Sequence, residues 1–276
     1  MFKAAYFGDP GAYSEQAAMQ YFGRSARLKP CRFLSEVMES AEKDSEFGVV
    51  PIENSIEGAV TQTYDLLLDS GLSIVGEEIV RIAHCLMAPQ GTTLKQVRFV
   101  YSHPQALGQC RDFLERNKID AIPFYDTAGS AKMLASRKLA HSAAIASARA
   151  AQVYGMKILA RNIQSSSRNY TRFLVISRYA QSTGADKTTI AFSSKNSSAP
   201  GYLFRALNAF ASNEVNLLYI QSRPIPHRPW KYNFYVDCNG SASDSNVRNA
   251  IRALEGVSDF VKVLGSYRRA RSGKHV

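Results

Sequence analysis

The sequence has no apolar run approaching the ~20 residues that a membrane span needs, and its N-terminus, MFKAAYFGDPGAYSEQ, has no apolar signal core. Cysteine is scarce: Cys31, Cys85, Cys110 and Cys238 lie far apart, with no CxxC pair. That spacing argues against a disulfide framework and a thiolate zinc site, and it fits a reducing cytoplasm. The five histidines show no ligand spacing either, so neither a metal nor another cofactor is expected. Helix-turn-helix, zinc-finger and aromatic RNA-binding signatures are missing, which argues against a nucleic-acid partner.

Basic charge, by contrast, is in excess. Of the net +11, +7 lies from Asp186 onward, where 13 Lys and Arg face 6 Asp and Glu. Arg268, Arg269, Arg271 and Lys274 crowd the tail. This reads as solvated surface, and the field also suits an anionic metabolite. A length of 276 residues with 45% apolar content is that of a globular chain of one large domain or two ordinary ones.

Up to residue 180 strand-like and helix-like segments alternate. Strands are expected at 4–7, 47–50, 97–101, 121–124, 143–146, 157–160 and 173–177, and helices at 14–21, 59–68, 104–116, 128–136 and 148–154. The apolar run 73–88 has no helical period and reads as one or two strands. Such alternation predicts an α/β domain of parallel sheets covered by helices. A polar linker, YAQSTGAD at 179–186, ends it. Beyond it the order strand 188–193, helix 200–211, strands 215–221 and 232–238, helix 244–254 and strand 260–264 predicts a ferredoxin-like βαββαβ domain. Pro200 is expected in the first turn of one helix and Asp244 at the N-cap of the other.

Ligands of open α/β sheets bind at strand carboxyl ends, near helix N-termini. Ser14, Ser102, Asp126 or Thr127, and Ser147 are each placed to cap a helix there. Together these starts offer anion sockets, which a dicarboxylate would find suitable. The segment VPIENSIEG at 50–58 sets Glu53, Asn54 and Ser55 in a loop after a buried strand, more hydrogen-bonding capacity than a simple connection needs. In SSSRNYTRFLVIS, 165–177, Asn169, Thr171 and Arg172 crowd the mouth of another.

GDPGAYS at 8–14, VPIENSIEG at 50–58, SHPQALGQC at 102–110, DTAGSAK at 126–132, AAIAS at 143–147 and NYTRF at 169–173 occur in that order. On these motifs the chain resembles the prephenate dehydratases and the related arogenate dehydratases. The resemblance implies a two-lobed, periplasmic-binding-protein-like catalytic domain over 1–180 and an ACT regulatory domain over 186–270. The implied reaction converts prephenate to phenylpyruvate with loss of carbon dioxide and water. The family's catalytic threonine falls on Thr171. A poor leaving group such as hydroxide needs a hydrogen bond or proton as it departs, and Thr171 can donate one late in C–O cleavage. Asn169, two residues away on the same face of an extended strand, can orient the leaving hydroxyl. Arg172 either clamps the pyruvyl carboxylate bidentately or points away and braces the loop. Asn54, Ser55, Ser102, Gln105 and Thr127 are implied substrate contacts, and Phe173 packs in the core or against the ring. His103 reads as structural, and Glu53 as a brace for its loop.

In the second domain the resemblance implies an amino-acid effector, phenylalanine in the family, and pairing into a homodimer or homotetramer. The effector residues fall on Pro200, Gly201, Tyr202 and Leu203 at a helix start and on Gln221, Ser222, Arg223 and Pro224. Gln221 stands where the family has Glu, and Tyr202 where it has a small residue, so either change bears on which amino acid binds. Prephenate and arogenate both remain open as substrates. A non-catalytic small-molecule sensor is the rival from another class, though a sensor has no use for a leaving-group acid.

Overall fold

A computed structural model describes residues 2–137, 139–180, 183–194, 200–225 and 228–270. The chain runs β1 (Lys3–Phe7), α1 (Tyr13–Phe22), β2 (Arg27–Cys31), α2 (Leu34–Lys43), β3 (Phe47–Asn54), β4 (Gly58–Ala59), α3 (Thr61–Asp69) and β5 (Ser73–Arg81). It continues through β6 (Cys85–Ala88), β7 (Phe99–Ser102), α4 (Pro104–Gln109), α5 (Arg111–Asn117), β8 (Asp120–Pro123), α6 (Thr127–Arg137) and β9 (Ser142–Ala146). Then come α7 (Ala148–Val153), β10 (Lys157–Arg161) and β11 (Tyr170–Ser177). Last are β12 (Lys187–Ser194), α8 (Tyr202–Ala211), β13 (Leu217–Pro224), β14 (Tyr232–Asn239), α9 (Ser245–Val257) and β15 (Ser258–Tyr267).

Three sheets result, ordered β2-β1-β3-β11-β5 with β4 on β3, β10-β6-β9-β7-β8, and β13-β14-β12-β15. The chain divides into two compact units. The first holds 1–37, 49–58 and 79–173; the second holds 38–48, 59–78 and 174–276.

In the first unit the five-stranded sheet is mixed. Its β7 pairs in parallel with β8 and β9, whereas β6 runs antiparallel to β9 and β10. The expectation of purely parallel sheets is therefore corrected. The run 73–88 splits into β5 and β6. One face of this sheet packs Leu86, Val100 and Ile145 against Ala106, Leu107 and Leu114 of α4 and α5. Each large apolar side chain buried there stabilises the fold by about 1.5–3 kcal/mol.

The helix expected over 104–116 is two helices. The break falls at Cys110, with Pro104 at the first helical position of α4 and Lys118, in the left-handed region at φ 53°, closing α5. Gly11 permits a close backbone approach in the unit. Its φ is 92°, and a Cβ there would lie 2.6 Å from the Ala150 Cα, so loop 8–12 can rest on α7 only as glycine.

The second unit contains the βαββαβ order expected of the C-terminal region: β12, α8, β13, β14, α9, β15. Its sheet is antiparallel throughout. Ala206, Phe210, Val247, Ala250 and Leu254, spaced at three and four residues, turn both helices onto Ile190, Phe192 and Val236. Beneath the other side lies a buried ion cluster. Lys187 Nζ meets Glu77 Oε2 at 2.8 Å and Asp237 Oδ2 at 3.1 Å. Thr189 donates to Asp237 Oδ1 at 2.6 Å, and the Ala270 N–H to Glu77 Oε1 at 3.1 Å.

Several capping expectations are corrected. Ser14 donates to the Phe7 carbonyl and does not cap α1, whose N-cap is Ala12. Ser102 lies inside β7 and donates to the Ile145 carbonyl at 2.7 Å, leaving the cap of α4 to His103. Pro200 precedes the Gly201 N-cap of α8, because Gly201 takes the left-handed turn at φ 75°. Asp244 occupies the N-cap of α9, but its carboxylate accepts from the Ser241 N–H at 2.8 Å. Ser147 caps α7 as expected, accepting from Ala150 N at 3.0 Å. All four cysteines are buried free thiols. Among the described residues no helix is long and apolar enough to cross a membrane. Arg271 and Lys274 of the basic tail, and positions 181–182 of the linker, lie outside the described residues.

Candidate active site

Strand β3 runs on through Pro51 to Asn54, and β11 begins at Tyr170, both beyond the expected bounds. Glu53, Asn54, Thr171 and Arg172 are thus strand residues with the fixed backbone that implies, and Ser55 and Asn169 stand one residue outside. Asn54 Oδ1 accepts the N–H groups of Ile56 and Glu57, each at 3.0 Å. This Asx turn settles which way the amide points. Its Nδ2 therefore donates to Asn169 Oδ1 at 2.7 Å and to Thr171 Oγ1 at 2.9 Å, with the Tyr170 carbonyl at 3.2 Å. Ser55 clasps the same segment. Its N–H donates to the Tyr170 carbonyl at 2.8 Å, its Oγ accepts from Tyr170 N at 2.9 Å, and its hydroxyl donates to the Arg168 carbonyl at 3.3 Å.

Asn169 is fully buried and donates from Nδ2 to Gln109 Oε1 at 2.7 Å. Gln109, the last residue of α4, donates in turn to Glu57 Oε1 at 3.2 Å. His84 Nε2 lies 3.0 Å from the same Gln109 Oε1. Its Nδ1 is 3.3 Å from the Tyr13 hydroxyl, which donates to the Ala83 carbonyl at 2.9 Å. Burial holds the His84 pKa below the ordinary histidine value against the opposing Gln109 hydrogen bond. Burial likewise pushes the Tyr13 phenol up, so it keeps its proton.

A cavity of about 490 Å³, of a size suited to a small ligand, opens on this network. Glu57, Gln105, Gln109, Ser165, Ser166 and Asn169 are among its lining residues. Thr171 stands one hydrogen bond behind Asn54. Its oxygen accepts the Asn54 N–H, so its own hydrogen is available to donate, and accepting a hydrogen bond strengthens that donation.

Asn54, Asn169 and Thr171 are thus brought together, and Ser55 supports the segment that holds them. Gln105 lines the cavity, with its backbone N–H on His103 Nδ1 at 3.3 Å. Arg172 turns to the other side of β11, where its Nε and Nη2 both lie 3.2 Å from Glu53 Oε2. Of its two open roles, this contact is the brace. Phe173 is 3% exposed and belongs to the core. Ser102 is fully buried at the end of β7, bonded to Ile145 of β9, and Thr127 opens α6 outside this network.

Near two of the helix starts expected to offer anion sockets, the chain supplies its own carboxylate. The Glu15 carboxylate accepts the Gly11 N–H at 2.8 Å, and Asp126 Oδ2 that of Gly129 at 3.1 Å. Sequence reasoning missed Gln109, His84, Tyr13 and Glu57. For Gln109 a signal existed: it lies four residues after Gln105, hence on the same face of a helix.

In the second unit the effector residues fall on two elements. Tyr202, 9% exposed, donates or accepts at Ser258 Oγ, 3.1 Å away, and its ring centroid lies 6.1 Å from that of Phe234. Phe234 also stands opposite Ser222 in the β13–β14 ladder, so it links the two segments. The bulk of Tyr202 is absorbed in the core beneath α8. Leu203 and Pro224 are exposed, and the Pro200 carbonyl accepts from Arg205 at 3.0 Å. Gln221 donates to the Ser222 carbonyl at 2.7 Å. Arg223 grips Asp65 of α3 with a fork: Nη2 to Oδ2 at 2.7 Å, and Nε to both oxygens at 3.1 Å.

The chain matches the prephenate dehydratase family model over residues 4–181 and the ACT domain model over 195–256. It is 41% identical over 273 residues to a bifunctional chorismate mutase/prephenate dehydratase of Aquifex aeolicus, covering 97% of this chain and 74% of that protein. It is 40% identical over 278 residues to the chloroplastic arogenate dehydratase/prephenate dehydratase 2 of Arabidopsis thaliana, covering 96% of this chain and 72% of that protein. The crystal structure of prephenate dehydratase from Arthrobacter aurescens in complex with L-Phe superposes with a TM-score of 0.89 and 34% identity, covering 97% of this chain and 90% of that one.

Proposed function

The chain belongs to the prephenate dehydratase family, and on that premise we infer that it converts prephenate to phenylpyruvate, carbon dioxide and water under control by phenylalanine. The reaction is redox-neutral. The electron pair of the breaking C–carboxylate bond enters the ring, and the ring C–O bond breaks as the ring becomes aromatic. Hydroxide leaves, so one proton must reach the departing oxygen. The observation that carries the reading is the Thr171 hydroxyl, which accepts from Asn54 and keeps its own hydrogen to give. Thr171 donates that hydrogen bond, and it becomes proton transfer late in C–O cleavage. Asn169, which faces the cavity, orients the leaving hydroxyl.

The carboxylate that departs as carbon dioxide gains nothing from a fixed cation. The placement of Arg172 on Glu53 agrees with that requirement. Arogenate carries an amino group where prephenate carries a keto group, and the ring chemistry above serves both.

The catalytic domain is assigned to 1–180 and the regulatory domain to 186–270. Phenylalanine binds at 200–203 and 221–224, supported by Phe234 joining those segments. The protein works in the cytoplasm as a homodimer or homotetramer paired through its C-terminal domains. A turnover assay with prephenate and arogenate, monitoring phenylpyruvate and phenylalanine, tests the reading. Phenylpyruvate from prephenate is expected. Phenylalanine from arogenate alone moves the substrate, and no product from either gives the sensor reading the lead. Unchanged thermal stability and activity in saturating phenylalanine would remove the regulatory assignment.

A further inference from the structure

We propose that His84 is a positioning residue for this reaction: its Nε2–H fixes the amide chain that aims the Thr171 hydroxyl. The inference rests on the dehydratase reading of the site. His84 touches neither the cavity nor Thr171. It acts through Gln109, and three polar contacts hold it. Its backbone N–H donates to Gln164 Oε1 at 2.9 Å, its Nε2 faces Gln109 Oε1 at 3.0 Å, and its Nδ1, 3.3 Å from the Tyr13 hydroxyl, shares that group's single hydrogen with the Ala83 carbonyl at 2.9 Å. The Tyr13 ring meets the imidazole edge-on at 75°, with centroids 5.9 Å apart. A residue 3% exposed and so closely held has one orientation to offer.

The amide chain has a direction. A carboxamide can be turned over in isolation, exchanging donor for acceptor at almost no steric cost. In a chain of three, one turned member puts like groups face to face. At the Asn54 end the Ile56 and Glu57 N–H groups fix the direction. Asn169 must then present Nδ2 to Gln109 Oε1. At the far end Gln109 must keep Oε1 inward and Nε2 toward the Glu57 carboxylate. Only an imidazole with its proton on Nε2 satisfies that inward oxygen. A proton on Nδ1 instead would set the Nε2 lone pair against Oε1 and favour the turned Gln109. Turning Gln109 pits its NH₂ against that of Asn169, and Asn169 in turn releases Asn54. The Thr171 oxygen then loses the N–H that directs its hydrogen outward.

Two substitutions separate this role from a structural one. Glutamine places an N–H near the position of Nε2, whereas asparagine reaches only as far as Nδ1. In the full-length chain His84→Gln is expected to keep most of kcat. His84→Asn should lose about 10–100-fold in kcat with KM within about twofold. Equal losses in the two variants, or the reverse order, would overturn the proposal. Nitrogen-15 NMR of the imidazole supplies a readout independent of turnover, with the proton expected on Nε2 at neutral pH. A proton on Nδ1 overturns the proposal whatever the activity. An unaltered chain that turns over neither substrate overturns the dehydratase reading, and the positioning role with it.

Discussion

Asn54 Nδ2 donates to Thr171 Oγ1 across 2.9 Å, joining residues 117 positions apart in the sequence. The bond uses the threonine oxygen as acceptor and so leaves its hydrogen available to donate, as the proposed role requires. Thr171→Ala should therefore lower kcat by about 10²–10⁴-fold, with KM and melting temperature close to those of the unaltered chain. Thr171→Ser keeps the hydroxyl but frees χ1, and it should recover part of the loss. Steady-state kinetics on both variants decides. An alanine variant within a few-fold of full turnover removes Thr171 from its role.

The pairing of Arg172 with Glu53 makes a different demand. The arginine side chain is 11% exposed and the glutamate 33%, so the pair is partly screened. Arg172→Met should cost about 1–2 kcal/mol in urea unfolding, chiefly by leaving Glu53 uncompensated. It should lower kcat less than Thr171→Ala does. Should KM rise a hundredfold instead, the arginine holds the pyruvyl carboxylate and the brace assignment is wrong.

Lys187 carries more of the stability of its unit. Its side chain is 6% exposed, and those of Glu77 and Asp237 are 2% and 3%. Lys187→Met leaves two buried carboxylates without their shared cation, which should cost about 3–5 kcal/mol. Chemical denaturation at neutral pH measures this. A loss under 1 kcal/mol would mean that water reaches the carboxylates.

Much of the site was legible because its residues fall in short motifs at strand ends. Asn54, Asn169 and Thr171 are small polar groups beside apolar runs, a pattern that a sequence displays. His84 and Tyr13 are not legible in that way. His84 sits in an ordinary apolar context and Tyr13 just after a glycine-rich turn that shows no partner, and only the packing of α1 against the start of β6 brings them to Gln109. The same limit explains β2: the segment RLKPC contains a proline and two charges, yet Arg27–Cys31 is an edge strand, where proline is tolerated. In α2 the signal was present, since Leu34, Val37, Met38 and Ala41 are buried at helical spacing. Which way Arg172 points could not be read at all, because two adjacent strand residues face opposite sides and the sequence does not say which side holds the cavity.

The buried imidazole also predicts how stability depends on pH. Burial lowers the folded-state pKa of His84, while in the unfolded chain it titrates near about 6.5. As pH falls through that unfolded value, the unfolded state takes up a proton that the folded state resists. The unfolded state then binds more protons, so stability rises with pH and falls on acidification. The loss continues down to the folded pKa, below which both states are protonated and it levels off. The groups facing the ring are the Tyr13 hydroxyl and the neutral Gln109 amide, and neither supplies an opposing charge. His84→Gln removes this one titration and leaves every other group in place. Unfolding free energies of both chains, taken in urea between pH 7.5 and pH 5, should diverge, with the unaltered chain falling more steeply. Parallel curves would mean that His84 ionises as readily folded as unfolded, and the ring would then lie in a wetter site than its burial describes.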